Sequence, residues 1–191
     1  METQIKRCAW CKGDALYEQY HDQEWGVPVF DDHKLFEFLT LETFQAGLSW
    51  ITVLRKRENF RVAFDAFDYE KVAQYGETKR GALMNNEGII RNKQKIIAAV
   101  NNAQRFIAIR RKHGTFSRYI WGFVGGQPLQ NRFKTLEDIP AKTPLSEKIS
   151  KDLKQNGFQF VGPTVVYAHM QATGMINDHL VDCYRYKELS L

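Results

Sequence analysis

Cysteine is scarce and odd in number: three in 191 residues. That excludes a disulfide framework and leaves free thiols or metal ligation as the uses of sulfur. No apolar run is long enough to span a bilayer, and no charged-then-apolar leader followed by small residues is found. A cytoplasmic protein is therefore expected. Internal repeats and low-complexity tracts are missing too. No stretch alternates apolar and polar residues as a half-buried strand would, so the expected class is all-α.

What is present is ordinary in bulk and unusual in detail. The length suits one good core, or a main domain with a small annex. A net charge of +5 and a pI near 9.1 favour a polyanionic partner, most simply nucleic acid. Residues 1–30 look irregular but concentrate Cys8, Trp10, Cys11, Tyr17, Tyr20, His21 and Trp25, with a short helix over Ala15–His21 and a turn at Gly26-Val27-Pro28.

Helical spacing predicts a helix capped by Asp31 or Asp32, a second from Ser49 to about Phe64, and a short one at Tyr69–Gln74. Further helices run over Arg91–His113, closed by Gly114, and over Phe116–Val124, stopped by Gly125-Gly126. After loop-like residues 127–142, Thr143-Pro144 opens a helix ending near Gly157, and Pro163–Thr173 forms the next, stopped by Gly174.

The chain is organised around Leu41–Trp50. Leu35, Phe38, Leu39 and Ala46 mark one apolar helix face, and Glu42 falls in the middle of it. A carboxylate there is costly unless a cation or hydrogen-bond donor meets it. Gly47 ends the helix, Ser49 can cap the next, and Trp50 opens it. An acid and an indole should then face one cavity, although a structural Glu held by a buried Arg or Tyr fits the same pattern.

Three constellations carry chemistry. His179 and Cys183 are four apart, so on a helix both face one way, as two zinc ligands must; Cys8 and His21 could complete the set. Cys11 leaves this open, because Cys8-Ala9-Trp10-Cys11 is itself a ligand-like spacing. Asn156-Gly157-Phe158-Gln159-Phe160-Val161-Gly162-Pro163-Thr164 suits a phosphate-facing hairpin between helices, with Lys148, Lys151 and Lys154 nearby. A tight connection whose Phe158, Phe160 and Val161 plug the core is the alternative. Last, Trp10, Tyr17, Tyr20, Trp25, Glu42 and Trp50 suit a flat, cationic, nitrogen-rich ligand, or else an aromatic mini-core.

Tyr17-x-x-Tyr20-His21-Asp22-x-Glu24-Trp25-Gly26-Val27-Pro28, Leu41-Glu42-x-x-Gln45-Ala46-Gly47-Leu48-Ser49-Trp50-Ile51-Thr52-Val53-Leu54, Phe160-Val161-Gly162 and Asn177-Asp178-His179 together resemble the DNA-3-methyladenine glycosylase I family. The likeness runs from about Cys8 to Cys183. It implies a helix-hairpin-helix glycosylase fold with a zinc annex, residues 1–30 plus 174–191, on a DNA-binding body of about 31–173. It implies one structural zinc on Cys8, His21, His179 and Cys183, with Cys11 no ligand. Glu42, Tyr20 and Trp50 bind the base, Trp10, Tyr17 and Trp25 line the site, and Glu42 is the candidate catalytic residue. Gly47 and Leu48 would press into DNA beside the lesion, while Gly162 and Thr164 belong to the hairpin that faces the backbone.

Ala168 stands where the family carries a serine. Asp178 lies roughly where the superfamily's usual catalytic aspartate would be, but between presumed metal-site residues, so that role is not assigned to it. The implied activity is excision of 3-methyladenine from double-stranded alkylated DNA by a monomer, releasing the free base without strand cleavage. Rival classes are an inactive zinc-stapled DNA-binding module, which leaves Glu42 without purpose, and a zinc hydrolase, which needs an open coordination position.

Overall fold

The computed structural model describes residues 5–190. Asp31 starts α2 (Asp32–Gln45) by accepting from the Lys34 N–H at 2.9 Å. Asp32, the other predicted cap, serves a different helix. Its carboxylate accepts from the backbone N–H of Phe116 and Ser117, at 3.1 and 2.8 Å, at the start of α7 (Phe116–Trp121). From Leu35 to Phe44 every residue of α2 is buried. A helix buried all round has to run through the middle of the fold. It packs against α3 (Trp50–Ala63), α6 (Lys93–His113), α7 and α9 (Pro163–Ala172).

Gly47, at φ +84°, turns the chain out of α2 as predicted. The buried Lys95 of α6 donates to the carbonyls of Phe44 (2.9 Å) and Ala46 (2.6 Å), a cation satisfying the end of that helix. Ser49 stands at the head of α3 but makes no side-chain cap bond; its hydroxyl meets Thr52 Oγ1 at 2.7 Å instead. The remaining helices are α1 (Ala15–Gln23), α4 (Tyr69–Val72), α5 (Glu77–Asn85), α8 (Pro144–Gln155) and α10 (Tyr184–Glu188).

Three expectations need correction. α5 lies where no helix is predicted, because its polar sequence holds only one buried residue, Leu83. A short parallel pair, β1 (Leu129–Gln130) with β2 (Ile176–Asn177), interrupts the otherwise helical fold. His179 and Cys183 do not sit on a helix. A turn closed by the Cys183 N–H to the Leu180 carbonyl (2.8 Å) brings their side chains together, and α10 begins only at Tyr184.

Two apolar clusters result. The larger is rich in phenylalanine and surrounds α2; the smaller combines Cys8, Tyr20, Trp25, Phe38, Leu54, Ala172, Leu180 and Cys183. The smaller one joins early and late chain, held by the Gly26 N–H to the Gln171 carbonyl (3.1 Å), Val29 to Thr173 (3.0 Å) and Tyr184 to Lys6 (2.9 Å). Residues 1–4 and Leu191, the ends of the predicted annex, lie outside the described residues. Among the described residues no helix is long and apolar enough to cross a membrane.

Gly174 sits at the closest approach, with φ +68°. A Cβ there would lie 2.5 Å from both the Val27 carbonyl carbon and the Pro28 nitrogen. Neither is a side chain that can swing aside. Gly174→Ala should therefore cost about 3 kcal/mol, combining the left-handed backbone with a forced separation of two segments. Urea unfolding checks this, and an unchanged midpoint would refute it.

Candidate functional site

Helices α1, α2, α3 and α9 and the short turn at Trp10 wall a cavity of about 240 Å³. All six predicted residues, Trp10, Tyr17, Tyr20, Trp25, Glu42 and Trp50, line it, together with Gln45, Ile139, Ala168 and Gln171. The rings interlock: Trp10 lies 4.8 Å from Tyr17 and 5.0 Å from Trp25 between centroids, and Tyr20 lies 5.4 Å from Trp50. Sequence patterns missed Gln45, Ile139 and Gln171. These are ordinary residue types, and only the rotation of their elements brings them in.

Glu42 is 3% exposed and meets no hydrogen-bond donor among the described residues. The nearby buried cation is committed elsewhere: Arg57 donates twice to Glu24 (2.9 and 2.8 Å) and once to Glu37 (2.7 Å). A structural glutamate held by a buried Arg or Tyr is thus not what is found. Burial alone pushes the Glu42 carboxyl up to about 8. Burial also raises the Tyr17 and Tyr20 hydroxyls, with the nearby Glu42 charge adding to it, so both remain donors. The Trp50 Nε1 is buried without a partner as well. An unpaired carboxyl among rings is costly to an isolated protein and useful to one that binds a cation.

At the rim, the Gln45 side-chain amide donates to the Leu48 carbonyl at 2.9 Å and the Leu48 N–H to the Gln45 carbonyl at 2.7 Å. This locks a turn that leaves Gly47 and Leu48 exposed, Leu48 by 40%.

Behind the aromatic wall, Cys8, His21, His179 and Cys183 converge, all buried, with ligand atoms within 4.8 Å of one another. Cys183 Sγ lies 3.4 Å from His21 Nε2 and 3.6 Å from His179 Nδ1, and Cys8 Sγ lies 3.8 Å from His179 Nδ1. Metal–sulfur bonds of about 2.3 Å and metal–nitrogen bonds of about 2.0 Å, set tetrahedrally, give edges of roughly 3.6 Å. The four residues therefore fit a metal ion. The far nitrogens are anchored as metal-bound imidazoles need: His21 Nδ1 to Asp22 (2.8 Å) and His179 Nε2 to the Trp25 carbonyl (3.0 Å). Asp22 is gripped in turn by Arg7. Cys11 stays outside this set, its thiol donating to the Cys8 carbonyl at 3.1 Å. Trp25 packs edge-on against His179 at 4.6 Å and Trp10 against His21 at 5.3 Å, so cluster and cavity share a wall.

The connection from α8 to α9 answers its two descriptions unevenly. Phe158 and Val161 are buried, but Phe160 is 38% exposed at φ +54°. Asn102 holds the Gln159 backbone by both its N–H (2.8 Å) and its carbonyl (2.9 Å), and Asn101 holds the Gly157 carbonyl at 2.8 Å. Gly162 then opens α9, whose first-turn amides have no partners within the helix, and Thr164, Lys151 and Lys154 are exposed beside it.

These features coincide with known proteins. A family model described as methyladenine glycosylase matches residues 10–186. The chain is 47% identical over 182 residues to DNA-3-methyladenine glycosylase 1 of Escherichia coli (strain K12), covering 95% of this chain and 97% of that protein. A crystal structure of 3-methyladenine DNA glycosylase I superposes with a TM-score of 0.91 at 47% identity, over 94% of this chain and 98% of the other. The Staphylococcus aureus 3-methyladenine DNA glycosylase I, solved to explain 3-methyladenine recognition, gives a TM-score of 0.91 at 38% identity, over 94% and 96%. Sequence and fold agree across nearly the whole length: the chain belongs to the methyladenine glycosylase family.

Proposed function

We propose that this protein removes 3-methyladenine from alkylated duplex DNA, taking the flipped base into the cavity beside Glu42 and hydrolysing its N-glycosidic bond to leave an abasic site. The observation that carries this is the unpaired, buried Glu42 carboxyl in an aromatic cavity of about 240 Å³. Methylation at N3 makes adenine cationic, so its glycosidic bond is already weak and the base departs neutral. Recognition and positioning then supply much of the catalysis. Trp50 and Tyr20 hold the ring, and Glu42 offers the charge.

A carboxyl pushed up to about 8 is mostly protonated at neutral pH in the empty cavity. Entry of the cationic base releases that proton, so affinity for the cationic lesion rises with pH and levels off above about 8. A neutral adenine gives the acid no such partner.

The α8–α9 connection serves as a helix-hairpin-helix element whose amides face a DNA phosphate, and Gly47 with Leu48 enters the duplex beside the lesion. Cys8, His21, His179 and Cys183 hold one zinc, whose four protein ligands leave no open position and make it structural. It fastens an annex of residues 1–30 and 174–191 to the body of 31–173. Nothing in this scheme needs a second copy of the chain.

Incubating the protein with methylated duplex DNA and analysing released bases tests the function. Free 3-methyladenine with an intact abasic strand is expected; retention of every base would leave only a binding module. For the hairpin, a Cβ on Gly162 meets nothing within 4 Å, so Gly162→Asp adds charge without an internal clash. Duplex affinity should fall about tenfold and its salt dependence should shrink, with thermal stability unchanged. A lower melting temperature with normal affinity per folded molecule would instead mark the hairpin as a core plug.

A further inference from the structure

Asp178 is 1% exposed and takes no part in the scheme above. Its carboxylate accepts from the Tyr167 hydroxyl (2.6 Å), the Asn131 amide (2.6 Å) and the Gln171 side-chain amide (2.8 Å). Of these partners, Gln171 lines the base cavity. A carboxylate can only accept, so the end of Gln171 turned toward it must be its NH2. The amide orientation is therefore fixed by chemistry. Its carbonyl oxygen has no partner among the described residues and is not sealed from solvent.

We propose that Gln171 is a specificity-determining residue and Asp178 the positioning residue that orients it: together they present the cavity with a carbonyl oxygen that accepts an N–H from the base. This rests on the glycosylase function proposed above. Adenine linked through N9 has one N–H group, its exocyclic amine, which carries two hydrogens. Among the residues that line the cavity, the side-chain oxygens of Glu42, Gln45 and Gln171 meet no donor from the described residues, and of the two amides only Gln171 has its orientation fixed by a carboxylate. A methylated guanine presents a carbonyl oxygen where adenine carries that amine, and an oxygen facing the Gln171 carbonyl is repelled. The Gln171 amide thus favours 6-aminopurines over 6-oxopurines. Glu42 distinguishes charge, and both lesions are cationic, so Glu42 alone would not separate them.

The test is the ratio of 3-methyladenine to 3-methylguanine released from duplex DNA treated with a methylating agent. Gln171→Met keeps the length and removes the acceptor; kcat/KM for 3-methyladenine should fall about tenfold while that for 3-methylguanine holds or rises. Asp178→Asn lets the neighbouring amide supply a donor, freeing Gln171 to turn its NH2 into the cavity, and should move the ratio the same way. Metal content and thermal unfolding identify any variant that is merely misfolded. If an intact Gln171→Met protein loses both activities in equal proportion, or neither, the assignment is overturned. A parent protein that releases no 3-methyladenine would instead overturn the function itself.

Discussion

Glu42→Gln should unfold at a higher temperature than the parent at pH 7.5 and yet excise 3-methyladenine more slowly. The stability half follows from linkage. The Glu42 carboxyl is pushed from an ordinary 4.5 up to about 8 by burial. A carboxyl raised in the folded state holds its proton there after the unfolded chain has released it. Its folded form is thus undisturbed below about 4.5 and loses stability progressively as pH rises to about 8, at about 1.4 kcal/mol per pH unit. Near neutral pH the cost is about 3 kcal/mol, and a glutamine, neutral throughout, escapes it. The parent's melting temperature should fall between pH 5 and 8 relative to that of Glu42→Gln, and the two should converge at pH 4.

The activity half follows from the same charge. A cationic base satisfies Glu42, while the glutamine leaves it partly unmatched, at about 1–3 kcal/mol. Excision and binding of free 3-methyladenine should drop by about ten- to a hundredfold with duplex affinity unchanged. Equal base affinity and excision in Glu42→Gln would make the charge irrelevant. Normal base affinity with no excision would make Glu42 a participant in bond cleavage rather than a cation detector.

The second large effect concerns the Cys8–His21–His179–Cys183 cluster. Purified protein should carry one zinc per chain, and Cys183→Ser should lose both the metal and much of the fold's stability. Binding of a structural zinc is worth about 10–16 kcal/mol in small domains at neutral pH, and here it would appear as folding free energy. The damage should also reach the cavity, because Trp25 packs on His179 and Trp10 on His21. Chelation should therefore weaken base binding before the phenylalanine core around α2 melts, a sequence that tryptophan fluorescence and calorimetry can separate. Cys11→Ser should keep its zinc, since the Cys11 thiol only braces the Cys8 carbonyl. Zinc lost from Cys11→Ser and kept in Cys8→Ser would reverse the ligand assignment.

How far the sequence carries such conclusions depends on the residue type. Trp10, Tyr17, Tyr20 and Trp25 were legible because large rings are distinctive and close together along the chain, and Trp50 because it opens the helix after the Gly47 turn. Glu42 stood out as an acid on an apolar face. His179 and Cys183 were legible as a pair for the wrong reason, since a turn satisfies the same four-residue spacing as a helix. Between Cys8 and Cys11, spacing alone left two choices, and the resemblance and the geometry agree on Cys8. Gln171 left no pattern: its importance depends on Asp178 lying across from it, after the chain has left α9 and passed through β2. The same holds for Asn101 and Asn102, whose grip on the α8–α9 connection spans more than fifty residues of sequence.

That long-range pairing also bears on how the protein is made. Cys8 and His179 are separated by 171 positions, and one wall of the cavity leans on the site they share. A ribosome that has reached residue 178 has synthesised Glu42, every cavity aromatic and the hairpin, but neither His179 nor Cys183. The α2-centred body gains its last packing helix, α9, with residue 172, whereas the site behind the early aromatic segment is complete only with residue 183. The wall of the cavity is therefore finished late in synthesis, and a chain that stops before residue 179 carries all the cavity aromatics without the site that Trp25 and Trp10 pack against.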